Sequence, residues 1–159
     1  MTTATNQDIF HRMLDALGAK RFDEFESLLD PEIHCEWPYV VMQGFPTEMR
    51  GARRLRDMLE VSLRTFAPYA YTIEQIHDLA DPDALIVEYT SHSTYYPRHV
   101  PYSNRYVGYF GFRTNRICRW REYVNPLVVL EALGPGFLWK ESEGPTATPA
   151  AASHPPVDR

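Results

Sequence analysis

Hydrophobic positions change their period twice along this chain. Near the start, Ile9, Phe10, Met13, Leu14 and Leu17 recur at helical intervals and fall on one face. Thr5 or Asn6 can cap that helix, and Gly18 stops it. A second short helix carries Phe22, Phe25, Leu28 and Leu29 and is predicted to end at Asp30-Pro31, because a residue before proline is pushed out of helical geometry. From Ile33 the period becomes two. Ile33, Cys35 and Trp37 alternate with His34 and Glu36, giving a strand that Pro38 ends or edges. Residues 44–51 hold two Gly and one Pro and read as a loop. A third helix then places Leu55, Met58, Leu59, Leu63 and Phe66 on one side.

The rest reads as sheet. Strands are predicted over 69–76, 85–95, 104–113 and 116–124. Between them lie an Asp81-Pro82-Asp83 turn, a loop at 97–101 and a Thr114-Asn115 corner. Pro126 opens a last helical turn over 127–133, stopped by Gly134. Helices followed by an antiparallel sheet make an α+β domain in which the long helix packs on one face of a curved sheet. Such curvature leaves a cavity at the open end. Residues 1–140 are expected to form this single domain, and the Pro/Ala/Ser-rich residues 141–159 a disordered tail.

The same alternation locates candidate chemistry. In the last strand, Ile117, Arg119, Arg121 and Tyr123 share one face, and Cys118, Trp120, Glu122 and Val124 the other. The second face is apolar yet carries a carboxylate. Desolvation there would favour the neutral acid, raise its pKa and suit it to proton transfer near neutral pH. Two other readings stay open: an ion pair between Glu122 and an arginine such as Arg105, or a Glu122 turned to solvent. In the preceding strand, Tyr106, Gly108, Phe110 and Phe112 form the inward face, and Gly108 would leave room for a ligand or let the sheet bend. In the 85–95 strand, periodicity does not choose between Ile86/Glu88/Thr90/His92/Thr94 and Leu85/Val87/Tyr89/Ser91/Ser93. If the first set points inward, His92 and Glu88 join Glu122 in the cavity.

Composition narrows the classes. The 159 residues carry 21 Asp plus Glu against 16 Lys plus Arg, a net charge of -5, which argues against nucleic acid or a membrane surface as partner. No apolar run approaches the ~20 residues that span a bilayer, and the polar start MTTATNQD is no signal peptide, so a soluble, cytoplasmic protein is expected. The arginine-rich residues 50–56 read as the solvated face of a helix or as a handle for phosphate or carboxylate. Cys35 and Cys118 are too few for a disulfide framework and are expected as buried free thiols. His34, Glu36, His77, His92 and His99 show no metal-ligand spacing, and nothing points to a metal or cofactor. Nucleophilic-serine and nucleotide-binding motifs lack support. Aromatic residues, 13% of the chain, are numerous enough to line a cavity as well as a core.

The segment Arg121-Glu122-Tyr123-Val124-Asn125-Pro126, followed by Leu130-Glu131-Ala132-Leu133-Gly134, resembles the SnoaL-like group of the NTF2-like superfamily. The similarity is to its ketosteroid-isomerase-related and PhzA/PhzB-type phenazine-biosynthesis branches. Trp37, Gly51, Asp81-Pro82, Val87-Glu88 and Asn104-x-Tyr106 fit in order, and the likeness spans roughly residues 6–134. The resemblance implies a cone-shaped barrel, a homodimer built on the outer sheet face and cofactor-free acid/base chemistry on a small molecule. In PhzA/PhzB-type proteins the Glu matching Glu122 is an acid/base residue, whereas the His of the strand after the long helix corresponds to Thr72 here. The Gly usual in the last hairpin is replaced by Asn115-Arg116. The Tyr/Asp pair of ketosteroid isomerases is not found at matching positions.

The expectation is therefore a cofactor-independent isomerase, lyase or cyclase acting on a small apolar or aromatic metabolite. Glu122 would shuttle the proton, and His92 would be a second acid/base group or a hydrogen-bond donor. Trp37, Tyr39, Thr72, Tyr106, Phe110 and Trp120 would shape the pocket. One rival is a PhzA/PhzB-like condensing protein of secondary metabolism, which calls for a basic side chain in the pocket. The other is a non-catalytic binding dimer with Glu122 tied to an arginine.

Overall fold

Thr5 starts the first helix, α1 (Asn6–Gly18), by a reciprocal cap. Its hydroxyl accepts from the Asp8 amide at 3.1 Å, and the Asp8 carboxylate accepts from the Thr5 amide at 2.9 Å. The Thr5 amide and hydroxyl, both donating to the Asp8 carboxylate, hold that carboxyl below its ordinary range. The structure, a computed structural model, describes residues 4–141 and 144–147. Helix α1 buries Phe10, Met13 and Leu17, all on the stripe read from the sequence. It lies across the concave face of the sheet, with the Phe10 ring 4.6 Å from that of Phe110 and 5.9 Å from that of Tyr89.

Helix α2 (Phe22–Ser27) is shorter than predicted. Strand β1 (Leu29–Glu36) already begins at Leu29 and runs through Asp30-Pro31. The proline is tolerated because the pairing to the last strand shifts register between Leu29 and His34, where its missing N–H is not required. A short strand, β2 (Glu48–Arg50), pairs with β1 inside the segment read as loop. Helix α3 (Ala52–Leu63) ends before Phe66, which instead opens β3 (Phe66–Asp78). Strands β4 (Ala84–Tyr95), β5 (Val100–Arg113) and β6 (Arg116–Val124) follow, with a 3-10 turn at Tyr96–Arg98 and helix α4 (Pro126–Leu133) after β6.

The six strands form one sheet in the order β2-β1-β6-β5-β4-β3. Neighbours are antiparallel except β1 and β6, so the sheet is mixed rather than purely antiparallel. Its curvature around α1 gives the α+β cone expected. Among the described residues, no helix is long and apolar enough to cross a membrane.

A two-stranded ribbon, β7 (Phe137–Lys140) with β8 (Gly144–Ala147), lies beyond α4 and was not predicted. Strand β8 falls within the segment read as a disordered tail; residues 142–143 and 148–159 of that segment lie outside the described residues. The ribbon straps the open end of the cone. The Trp139 amide donates to the Gln43 carbonyl at 2.9 Å, and Arg54 holds the Glu141 carboxylate with two bonds of 2.6 and 2.9 Å. Gly44 allows this closeness: its φ is +85°, and a Cβ there would lie 2.4 Å from the Trp139 carbonyl oxygen. Gly44→Ala is expected to lose roughly 1–3 kcal/mol in chemical denaturation by forcing both the backbone and the strap to move.

Candidate active site

Strand alternation on β6 projects Trp120, Glu122 and Val124 into the cone. A register shift between Gly111 and Phe112 puts Ile117 inward as well and leaves Cys118 only half-buried, unlike the expected buried thiol. Cys35 is buried, and burial pushes its thiol pKa up. Gly108 on β5 stands directly opposite Glu122. Its missing side chain makes room for the Phe110 ring rather than for a ligand, since a Cβ at 108 would meet that ring at 2.4 Å.

The Glu122 carboxyl group is surrounded by donors. Trp37 Nε1 donates to Oε2 at 3.3 Å, and the Tyr89 hydroxyl donates to Oε1. The Trp120 indole N–H also favours the anion, although it is buried without a hydrogen bond of good geometry. Burial outweighs these donors and holds the carboxyl above its ordinary range. The predicted partner Arg105 is 81% exposed and sits 3.6 Å from Glu74. Arg119 and Arg121, the neighbours of Glu122 on β6, turn to the opposite face and share the Glu36 carboxylate. Glu122 therefore has neither the arginine partner nor the solvent-facing position that the alternative readings required.

Around Glu122 lies a cavity of about 120 Å³, walled by aromatic side chains such as Trp37, Tyr106 and Trp139 and by aliphatic ones such as Val41, Met42 and Leu133. Its second polar zone is a cluster of hydroxyls. Asn104 Nδ2 donates to the Tyr102 hydroxyl at 3.0 Å; the hydroxyls of Tyr102 and Tyr69 each lie 3.4 Å from that of Tyr106, and Ser91 Oγ lies 2.8 Å from it. The amide can only donate, which leaves Tyr102 free to donate onward to Tyr106. With Tyr102 and Ser91 filling its lone pairs, the Tyr106 O–H can point into the cavity. The stacked rings of Tyr89 and Tyr106, 4.9 Å apart, link the carboxyl and hydroxyl zones.

Of the residues expected in the pocket, Trp37, Tyr106, Trp120 and Glu122 converge on it, and four do not. His92 is exposed because β4 turns Leu85, Val87, Tyr89 and Ser91 inward; its Nδ1 contacts Ser103 Oγ at 2.9 Å instead. Glu88 leaves the cone with it and pairs with His77 at 2.9 Å. Thr72 is exposed on β3, whose inward positions are Tyr69 and Tyr71. Tyr39 is 60% exposed and packs against Tyr123 on the outer face. Phe110 is wholly buried behind the cavity, between Phe10 and Trp120. Among the arginines of 50–56, Arg54 binds Glu141 and Arg56 binds Asp23, Asp57 and Glu60. No three His, Cys, Asp or Glu side chains converge as a metal site among the described residues.

Tyr89→Phe would remove one donor to the anion. With that donor gone the anion loses part of its stabilisation, so the Glu122 titration is expected to move upward, measurable by NMR.

The SnoaL-like domain profile matches residues 10–120. The chain is a SnoaL-like protein. This SnoaL-like protein is 29% identical to the uncharacterised Bacillus subtilis protein YesE over 125 residues, 79% of this chain and 84% of YesE. It is 27% identical to the Pseudomonas aeruginosa phenazine biosynthesis protein PhzA1 over 132 residues, 81% of this chain and 80% of PhzA1. A crystal structure from Bacillus subtilis, of a protein provisionally named an isomerase, superposes with a TM-score of 0.76 at 26% identity, covering 83% of this chain and 94% of that one. The fold is that of NTF2-like proteins.

Proposed function

We propose that this SnoaL-like protein is a cofactor-independent acid/base enzyme, an isomerase, lyase or cyclase, acting on a small apolar or aromatic molecule held in the cone. The observation that carries the proposal is a carboxyl group with no cationic partner, raised in pKa by burial, at the wall of an aromatic cavity. As the carboxylate, Glu122 takes a proton from a weakly acidic C–H of the substrate. As the acid, it returns that proton to another atom of the same molecule. Charge building on a substrate oxygen is met by the Tyr106 hydroxyl, polarised by Tyr102, Asn104 and Ser91. The names of PhzA1 and of the Bacillus isomerase accord with small-molecule chemistry of this kind.

The phenazine-like alternative would need a basic side chain in the pocket, and no Lys, Arg or His belongs to the cavity wall among the described residues. Pairing of two copies through the convex face is supported by the exposed, directly opposed Val107 and Tyr123. Chemistry at Glu122 can be tested without knowing the natural substrate. Acetophenone, a one-ring ketone, incubated with the protein in D2O should incorporate deuterium at its α-carbon faster than in buffer. Incorporation no faster than in buffer, for this and related one-ring ketones, would count against the proposal.

A further inference from the structure

The cavity supplies everything an anion needs except a cation. Trp37 Nε1 and the Tyr89 hydroxyl donate to the two carboxylate oxygens, and Trp37 can serve only as a donor. No lysine, arginine or histidine reaches the wall among the described residues, and Arg119 and Arg121, which precede Glu122 on β6, are held on the opposite face by Glu36. Glu122 is half-buried, and a carboxylate partly withdrawn from water gains from a balancing charge beside it. Aromatic side chains, Trp37, Phe45, Tyr71, Tyr106, Trp120 and Trp139, stand in the wall among aliphatic ones such as Val41, Met42 and Leu133, and an aromatic ring attracts a cation through its quadrupole. The space of about 120 Å³ suits a compact ion rather than a long chain. From this juxtaposition of a carboxyl group without a cationic partner and a cavity rich in aromatic side chains, we infer that the cavity selects small organic ammonium ions, methylated or aryl-substituted amines, as its ligands.

This inference rests on the reading of Glu122 as the group that meets the substrate, and adds the charge the substrate carries. An amine that arrives neutral takes the carboxyl proton and is held as an ammonium–carboxylate pair. A quaternary ammonium has no site for that proton, so its binding to the protonated acid releases one proton to solvent. The other titratable groups facing Glu122 are Cys35 on β1, Tyr69 and Tyr71 on β3, Tyr89 on β4, and Tyr102 and Tyr106 on β5. Burial raises the pKa of each, which leaves Glu122 to govern the proton exchange. Helices α1 and α3 contribute only Leu17, Leu59, Ser62 and Leu63 to the wall.

The test uses three compact probes that differ in charge: tetramethylammonium, tert-butanol and pivalate. Calorimetric titration should rank them in that order, with the cation about tenfold or more tighter than the alcohol. The cation's affinity should rise with pH through the Glu122 titration. Glu122→Gln should erase the preference and the pH dependence, while Glu122→Asp, which keeps the charge, should retain the preference in a folded protein. Equal binding of cation and alcohol, tighter binding of pivalate, or a cation preference intact in Glu122→Gln would each overturn the inference. Because none of the probes reacts, loss of cation preference alongside Glu122-dependent deuterium exchange would remove this inference and leave the acid/base proposal standing.

Discussion

Replacing Glu122 by Gln is expected to lower α-deuterium exchange by about 10²–10⁴-fold, the usual contribution of one positioned acid/base group. The amide keeps the shape of the side chain; its oxygen can accept from Trp37 while its NH2 donates to the Tyr89 hydroxyl, which can accept as well as donate, but it cannot carry the proton. The fold should survive. The pH dependence of stability gives a second, independent reading of the same variant. Burial raises the Glu122 pKa above its ordinary value of 4.5, so the folded protein holds that proton at pH values where the unfolded chain has released it. Stability contributed through this group is therefore full below 4.5 and falls as pH rises from there through the folded-state pKa. Glu122→Gln removes that loss. Its melting temperature should match the parent's pH trend least above this window, where the parent is relatively destabilised. A parent and variant with the same pH trend would mean that Glu122 is not desolvated.

Phe110→Ala is expected to lose roughly 3–5 kcal/mol, the cost of deleting a buried aromatic ring and leaving a cavity. For a chain of this size that corresponds to roughly 6–20 °C in melting temperature. The ring is wholly buried, 4.6 Å from Phe10 and 5.4 Å from Trp120, and its backbone pairs directly with Trp120. It closes the wall behind Gly108, so its loss opens an apolar hole rather than exposing a binding surface. Added benzene should fill that hole and restore part of the melting temperature. A variant as stable as the parent would instead mark Phe110 as a ligand-contacting residue, as its place in the strand pattern first suggested.

The parts of the site that were legible in the sequence were those where one face of a strand was plainly more apolar than the other. Trp120, Glu122 and Val124 on β6 and Tyr106 on β5 were read inward on that basis, and they line the cavity. In β4 the face holding Leu85, Val87 and Tyr89 is in fact the more apolar one. The titratable Glu88 and His92 stand on the opposite face, and Tyr89, which donates to Glu122, stands on this one. Thr72 was placed in the pocket by its correspondence to a family histidine, although the alternation of Tyr69, Tyr71 and Ile73 with Ala70 and Thr72 favours the tyrosines.

The remainder had no local signal. The strap that carries Trp139 follows two glycines and spans four residues, too short for a period to show. Strand β2 is three residues long and exists through its ladder to β1. The tyrosine–serine cluster joins three strands and depends on register, which no single segment contains. The helix expected through Leu29 gave way to a strand because pairing with Ile117 outweighed a weak local preference.

The central claim is that Glu122 exchanges a proton from inside the apolar cone. NMR titration of its side-chain carboxyl carbon, assigned by comparison with Glu122→Gln, tests that claim most directly. The expected result is a midpoint above the ordinary 4.5, moving higher still in Tyr89→Phe. A midpoint at or below 4.5 would contradict it, placing the carboxylate in an environment that keeps it charged and unfit to return a proton.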